Sequence, residues 1–70
     1  MKIIIVSGGF DPIHSGHIAY FKAAKEFGEK LIVALNSDAW LENKKGKIFM
    51  PFNERKSIIE CMSYIDDVID

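Results

Sequence analysis

The apolar run Ile3-Ile4-Ile5-Val6 stops at a double glycine, Gly8-Gly9, and an amphipathic stretch begins at Ile18. A run this short, continuous and β-branched predicts a strand over Lys2 to Val6 that is buried on both faces. Gly8-Gly9-Phe10-Asp11-Pro12 is turn chemistry and cannot continue it. Helical spacing then takes over in Ile18, Phe21, Ala24 and Phe27. It predicts a helix over His17 to Phe27, with Ser15 near its start and Gly28 as a left-handed terminator. A second apolar run, Leu31 to Leu35, completes a strand–helix–strand unit, which requires parallel strands and a right-handed crossover.

Beyond it, Ser37 caps a short helical turn through Asp38-Ala39-Trp40-Leu41. A loop follows, Asn43-Lys44-Lys45-Gly46-Lys47, with three of the nine basic residues. Pro51 marks the approach to a helix over roughly Phe52 to Tyr64, whose inward set is Ile58, Ile59, Met62 and Ile65. Asp66 to Asp70 opens a third strand. The class is α/β, a parallel sheet in βαβαβ order. Three parallel strands that progress in one direction place both long helices on one face of the sheet. The other face is then bare, and one edge of the first strand is unpaired. Residues 1–70 therefore read as half of a doubly wound domain. Either the sequence is truncated, or a second copy or another polypeptide covers what is exposed.

Seventy residues allow one domain at most. The net charge of −1 gives no electrostatic case for nucleic acid or for an anionic membrane. The single cysteine, Cys61, cannot form an internal disulfide and fits a reducing cytoplasm. Its neighbours Ile58, Ile59, Met62 and Ile65 predict a buried structural thiol. The N-terminal apolar run is too short for a signal peptide or a membrane span.

His14 and His17 carry the strongest chemical signal. They flank Gly16 in the strand-to-helix turn, where backbone N–H groups and the positive helix end converge. Two imidazoles there suit a phosphate and the charge that develops on it during reaction. Two structural histidines are the plainer alternative. A metal site lacks the cysteines or carboxylates that would complete a tetrahedral set. Gly16 lets a ligand approach the backbone, and Gly8-Gly9 lets the following amides approach a nucleotide. The glycines do not form G-x-G-x-x-G, which argues against a nicotinamide or flavin dinucleotide. Asp11 reads first as a turn-forming residue bonded to its own backbone, and second as a support for the histidine loop. Lys44, Lys45 and Lys47 follow the second strand at its carboxyl end, the edge where open α/β sheets bind ligands; a solvated loop is the alternative. Arg55 stands in the first turn of its helix, where either an anionic ligand or a surface salt bridge would offset the dipole. Trp40 fills a gap beside the sheet or stacks on a base, with gap-filling preferred.

Gly9-Phe10-Asp11 followed by His14-Ser15-Gly16-His17 resembles the signature of the cytidylyltransferase-like nucleotidyltransferases. The resemblance extends through Asn36-Ser37-Asp38, Lys44, Glu54-Arg55 and Ile65-Asp66-Asp67-Val68-Ile69, and so covers the whole chain. Within the family it resembles the glycerol-3-phosphate cytidylyltransferases and the heptose 1-phosphate adenylyltransferases. It implies a Rossmann-like fold, of which this chain is the N-terminal half, and a magnesium-dependent reaction. A phosphate oxygen of a small phosphorylated substrate attacks the α-phosphorus of CTP or ATP, and pyrophosphate leaves without a covalent enzyme intermediate. By matching position, His14, His17 and Lys44 are the implied catalytic residues. Gly9, Phe10, Asp11, Gly16, Lys47 and Arg55, with both histidines, are the implied nucleotide-binding set. Two features depart from the pattern. The family's later serine/threonine-rich motif, which opens a further phosphate-binding helix, is not in this sequence. Gly46 also stands where the cytidylyltransferases tend to have a basic residue, flanked by Lys45 and Lys47, either of which would reach the ligand. A non-catalytic module that binds nucleotide or a partner chain is the alternative function. A homo-oligomer, or completion by a C-terminal half, follows from the bare face.

Overall fold

Three parallel strands, β1 (Ile3–Gly8), β2 (Lys30–Leu35) and β3 (Asp67–Ile69), lie in the order β1-β2-β3 in the computed structural model, which describes residues 1–70. The register sets Ile4 beside Leu31, Val6 beside Val33 and Val33 beside Val68, so these side chains share one face. Helices α1 (Ser15–Lys25) and α3 (Phe52–Glu60) cover that face, and α2 (Asp38–Lys45) follows β2. The core joins Phe21 and Ala24 of α1, Leu31, Val33 and Leu35 of β2, Ile59 of α3 and Val68 of β3, with Phe10 at its rim.

The other face carries Ile3, Ile5, Ile32, Ala34 and Ile69, and no element of this chain covers it. Ile3 is 51% exposed and Ile5 63%. The expectation that β1 is buried on both faces is thereby corrected, whereas the expected placement of both long helices on one side is what the fold has. A continuous apolar run reports strand propensity on both faces, but covering the second face takes an element that comes back on the opposite side. No helix is long and apolar enough to cross a membrane.

Element ends differ from expectation in four places. α1 starts at Ser15, two residues before His17, and stops at Lys25 with Glu26 as its cap. Phe27 lies beyond the helix end and is exposed, as is Ile18 in the first turn. Gly28 is not left-handed; a Cβ there would meet the Lys2 carbonyl oxygen at 2.7 Å, so close approach of the chain into β1 is what requires glycine. α2 runs to Lys45, so Lys44 and Lys45 form its last turn instead of a loop. Their charges suit a helix C-terminus, and Gly46 ends the helix at φ 88°. α3 ends at Glu60, and residues 61–65 turn away through i→i−3 bonds from Cys61 to Ile58 and from Met62 to Ile59. Cys61 is consequently exposed rather than buried.

Asp66 ties three elements together. Its carboxylate accepts from Lys25 Nζ of α1 at 2.5 Å and from the Leu31 amide of β2 at 2.8 Å. The Lys25 hydrogen bond, and then the Leu31 amide, hold this carboxyl below the usual range. Lys25 Nζ also donates to the Glu29 carbonyl at 2.9 Å, which fixes the turn between α1 and β2.

Candidate functional site

β1 delivers the chain to the carboxyl edge of the sheet at Gly8, and residues 9–14 carry it into α1. Phe10 takes φ 51°, a left-handed conformation that costs a bulky residue on the order of 1–3 kcal/mol. Its ring holds it there. It is buried against the edge of His17 at a centroid distance of 4.9 Å and against Phe21 at 5.1 Å. The Phe10 side chain thus belongs to the core and props His17 from within.

His14, not Ser15, caps α1. Its Nδ1 accepts from the Gly16 amide at 3.0 Å, and Nδ1 of His17 accepts from the His14 amide at 3.1 Å. This is a reciprocal capping box with imidazole at both positions. The two rings stack at 4.0 Å with 30° between their planes. A nitrogen that accepts a hydrogen bond carries no proton, so each neutral ring holds its proton on Nε2. Each Nε2–H is free of any partner in the chain. Burial, and then the charge of nearby His14, push the His17 pKa below its ordinary value, so His17 is neutral at pH 7. The first turn of α1 has no acidic residue, whereas α2 has Asp38 there and α3 has Glu54. The positive end of α1 therefore meets no carboxylate of its own. A Cβ on Gly16 would lie 2.8 Å from His14 Cε1, so the stacked ring itself demands glycine.

Asp11 bonds to a distant segment rather than to its own turn. Its carboxylate accepts from the Met50 amide at 2.6 Å, the Phe49 amide at 2.8 Å and Lys45 Nζ at 3.1 Å. Lys45 Nζ also donates to the Asp11 carbonyl at 2.7 Å. The Asp11 side chain is 1% exposed. Burial pushes its carboxyl up, but the Phe49 amide, Lys45 and the Met50 amide together outweigh that and hold it below the usual carboxylate range. The clasp fastens the end of α2 and the following loop to the histidine turn. Of the three lysines, only Lys45 makes an ion pair. Lys44 Nζ lies 5.7 Å from the Trp40 ring centre and Lys47 Nζ 5.2 Å from that of Phe49, with no carboxylate on either. Trp40 is exposed and fills no gap beside the sheet.

Arg55 is fully buried. Nη1 donates to the Gly9 carbonyl at 2.9 Å and to the Asn36 carbonyl at 2.7 Å, Nε to the Met50 carbonyl at 2.9 Å, and Nη2 to Asp38 Oδ1 at 2.7 Å. Of the two partners left open by the sequence, the salt bridge is present, with Asp38, but Arg55 lies in the interior rather than at the surface and braces the ends of β1 and β2. Asp38 and Asn36 are its partners; the family resemblance ran through Asn36-Ser37-Asp38 but assigned them no role. Gly9 lends this brace its carbonyl, and a Cβ there would strike Leu41 at 2.6 Å.

The structure therefore gathers His14, Gly16 and His17 on the surface at the start of α1, with Phe10, Asp11, Gly9 and Arg55 beneath or beside them as support. The surface hollows, one along Ala39 to Asn43 and one between Glu60 and Asp67, include neither histidine. No three His, Cys, Asp or Glu side chains converge on a metal position, and Asp11 and Asp38 are engaged by cations of the chain.

Comparison with known proteins identifies the family. The family model described as cytidylyltransferase-like matches residues 5–70. A glycerol-3-phosphate cytidylyltransferase of Bacillus subtilis is 39% identical over 69 residues, covering 99% of this chain and 54% of its own length. An FAD synthase of Pyrococcus horikoshii is 37% identical over 67 residues, covering 94% of this chain and 45% of its own. The chain thus spans about half the length of these two relatives. The crystal structure of a lipopolysaccharide core biosynthesis protein from Thermoplasma volcanium superposes with a TM-score of 0.89 at 34% identity, over 99% of this chain and 57% of that one. With a Rossmann-like α/β fold and a family match over nearly its whole length, the chain belongs to the cytidylyltransferase-like family.

Proposed function

We propose that this chain carries the nucleotide-binding half of a nucleotidyltransferase that moves CMP or AMP from CTP or ATP to a small phosphorylated substrate. A phosphate oxygen of that substrate attacks the α-phosphorus, the bond to the β-phosphate oxygen breaks, and pyrophosphate leaves with the electron pair. The observation that supports this best is the paired histidine cap, which turns two Nε2–H donors away from the backbone at a helix end without carboxylates. Such donors stabilise the charge that builds on the departing phosphates without being consumed. The remaining work is positioning, because no covalent intermediate is needed. Lys44 and Lys47, free of ion pairs, supply phosphate-neutralising charge, while Asp11, Lys45 and Arg55 hold the frame around the histidines. The chain's own residues do not fit a magnesium cage, since no cluster of ligands converges. Magnesium would arrive on the triphosphate, held mainly by phosphate oxygens and water.

The bare face of Ile3, Ile5, Ile32 and Ile69 favours a second reading, a nucleotide-binding or partner-binding module that is not catalytic by itself. A pyrophosphate-release assay separates the two, pairing CTP or ATP with a panel of sugar and polyol phosphates. Release that depends on one acceptor and disappears in His14→Ala supports the transferase. Nucleotide binding with no release under any pairing supports the module.

A further inference from the structure

The histidines hold two jobs that compete for the same nitrogen. Nδ1 of each ring accepts a backbone N–H, one from Gly16 and one from His14, and these bonds start α1. An imidazolium has N–H at both nitrogens and accepts at neither. If a proton from water adds to Nδ1 of either ring, one N–H···N bond is lost and two N–H groups face each other at about 3 Å. The ring must then rotate away, and the first turn of α1 loses its cap.

We infer that the two rings serve this site only as neutral Nε2–H donors, so that protonation opens the start of α1 and weakens anion binding instead of strengthening it. This rests on the phosphate-binding role proposed above. It runs opposite to the ordinary expectation for histidines beside phosphate, where added positive charge tightens the contact. The surroundings favour the neutral pair. The rings stack 4.0 Å apart, so a charge on one opposes a charge on the other. The partner facing His17 from the core is the uncharged Phe10 ring. The nearest carboxylate in sequence, Asp11, is occupied by Lys45 and the amides of residues 49 and 50, and neither histidine makes a salt bridge. Burial, and then any charge on the stacked His14 ring, lower the His17 pKa.

Sulfate tests the inference, because its charge is constant from near pH 5 to near pH 8 while that of a polyphosphate is not. The 70-residue chain is titrated with sulfate, followed by amide and imidazole nitrogen NMR, and CTP is added at the upper pH as a second ligand. The inference expects protons on Nε2 of both rings near pH 7.5, and sulfate affinity about tenfold lower near pH 5. The Gly16 amide should lose its exchange protection over the same pH range. His14→Asn, which keeps an N-cap acceptor but cannot titrate, should flatten the pH dependence of that amide. Protons on Nδ1 near pH 7.5, or sulfate binding that tightens as pH falls, overturns the inference and leaves the phosphate site standing. Failure of sulfate to bind at any pH and of CTP to bind at the upper pH overturns the function proposed above and the binding half of this inference; the Gly16 amide still decides whether protonation opens the start of α1.

Discussion

Two helix starts at the same edge of the sheet use their nitrogen donors in opposite ways. At α1, two imidazoles cap the helix with one nitrogen and leave the other free at the surface. At α3, Arg55 is sealed from water and donates four hydrogen bonds to groups of its own chain. Both sets of residues suggest an anion ligand when read in sequence. Only the first turns free donors to the surface, because four of the five N–H groups of Arg55 are taken and the side chain is fully buried. The difference comes from what surrounds the side chain: three carbonyl oxygens and a carboxylate converge on Arg55, and leaving them unpaired in the interior would be expensive. A site residue and its brace can therefore both present N–H donors and differ in how many of them are already taken.

The sharpest way to break this contrast is Arg55→Ala. Removing a buried cation that makes four hydrogen bonds costs about 3–5 kcal/mol. That is comparable with the whole stability of a domain this small, roughly 0.05–0.15 kcal/mol per residue. Urea unfolding followed by circular dichroism should show a chain largely unfolded in buffer; a loss under about 1 kcal/mol, with nucleotide binding abolished, would make Arg55 a ligand after all. His14→Ala should give the reverse profile. Loss of an N-cap lowers stability by only about 1 kcal/mol, while affinity for CTP or ATP, read by calorimetry, drops at least about tenfold, the equivalent of one charge-assisted contact. Equal binding by the variant and the parent chain is the outcome that defeats the histidine assignment.

Asp11→Asn tests the clasp between the two regions. The amide keeps one acceptor and loses the charge, for a cost of about 1–3 kcal/mol in thermal unfolding. Because the folded-state pKa of Asp11 is lowered, its contribution is present above the unfolded value of 3.8 and is lost as pH falls through the folded value. The variant should accordingly show a shallower loss of stability at acid pH than the parent, and an identical acid limb would remove Asp11 from this role. His17 shifts in the same direction from a higher starting point, so its share of stability is lost as pH falls below 6.5 toward its lower folded value. Gly16→Ala is the smallest expected effect. Its Cβ must displace the His14 ring from 2.8 Å, so a cost of about 1 kcal/mol should come with a shifted His14 imidazole signal. An unmoved signal would show that His14 does not pack there.

Much of the architecture is legible from residue pattern. Ile3 to Val6 and Leu31 to Leu35 are strands, the segment between them is a helix, and the one-sided placement of the long helices follows from the direction in which strands are added. Helix ends are less legible. Phe27 sits in phase with Phe21 and Ala24, yet the helix stops at Lys25; Ile58, Ile59, Met62 and Ile65 are spaced like one face, yet α3 stops at Glu60. A spacing rule counts residues in phase and does not detect where the backbone stops bonding to itself. The histidine pair is conspicuous in sequence, but its capping role is not, because N-cap rules are written for serine, threonine, aspartate and asparagine.

Order along the chain, by itself, determined a parallel βαβαβ sheet with one uncovered side and two histidines at its carboxyl edge, because hydrophobic period and turn chemistry are local and act over a few residues. Tertiary structure alone decided which polar groups are spent and which are free. Arg55 is committed to the carbonyls of residues 9, 36 and 50, Asp11 to the amides of residues 49 and 50, and the imidazole Nε2 atoms to nothing. Those partners lie up to 46 residues apart in sequence, and a hydrogen bond is set by distance in space.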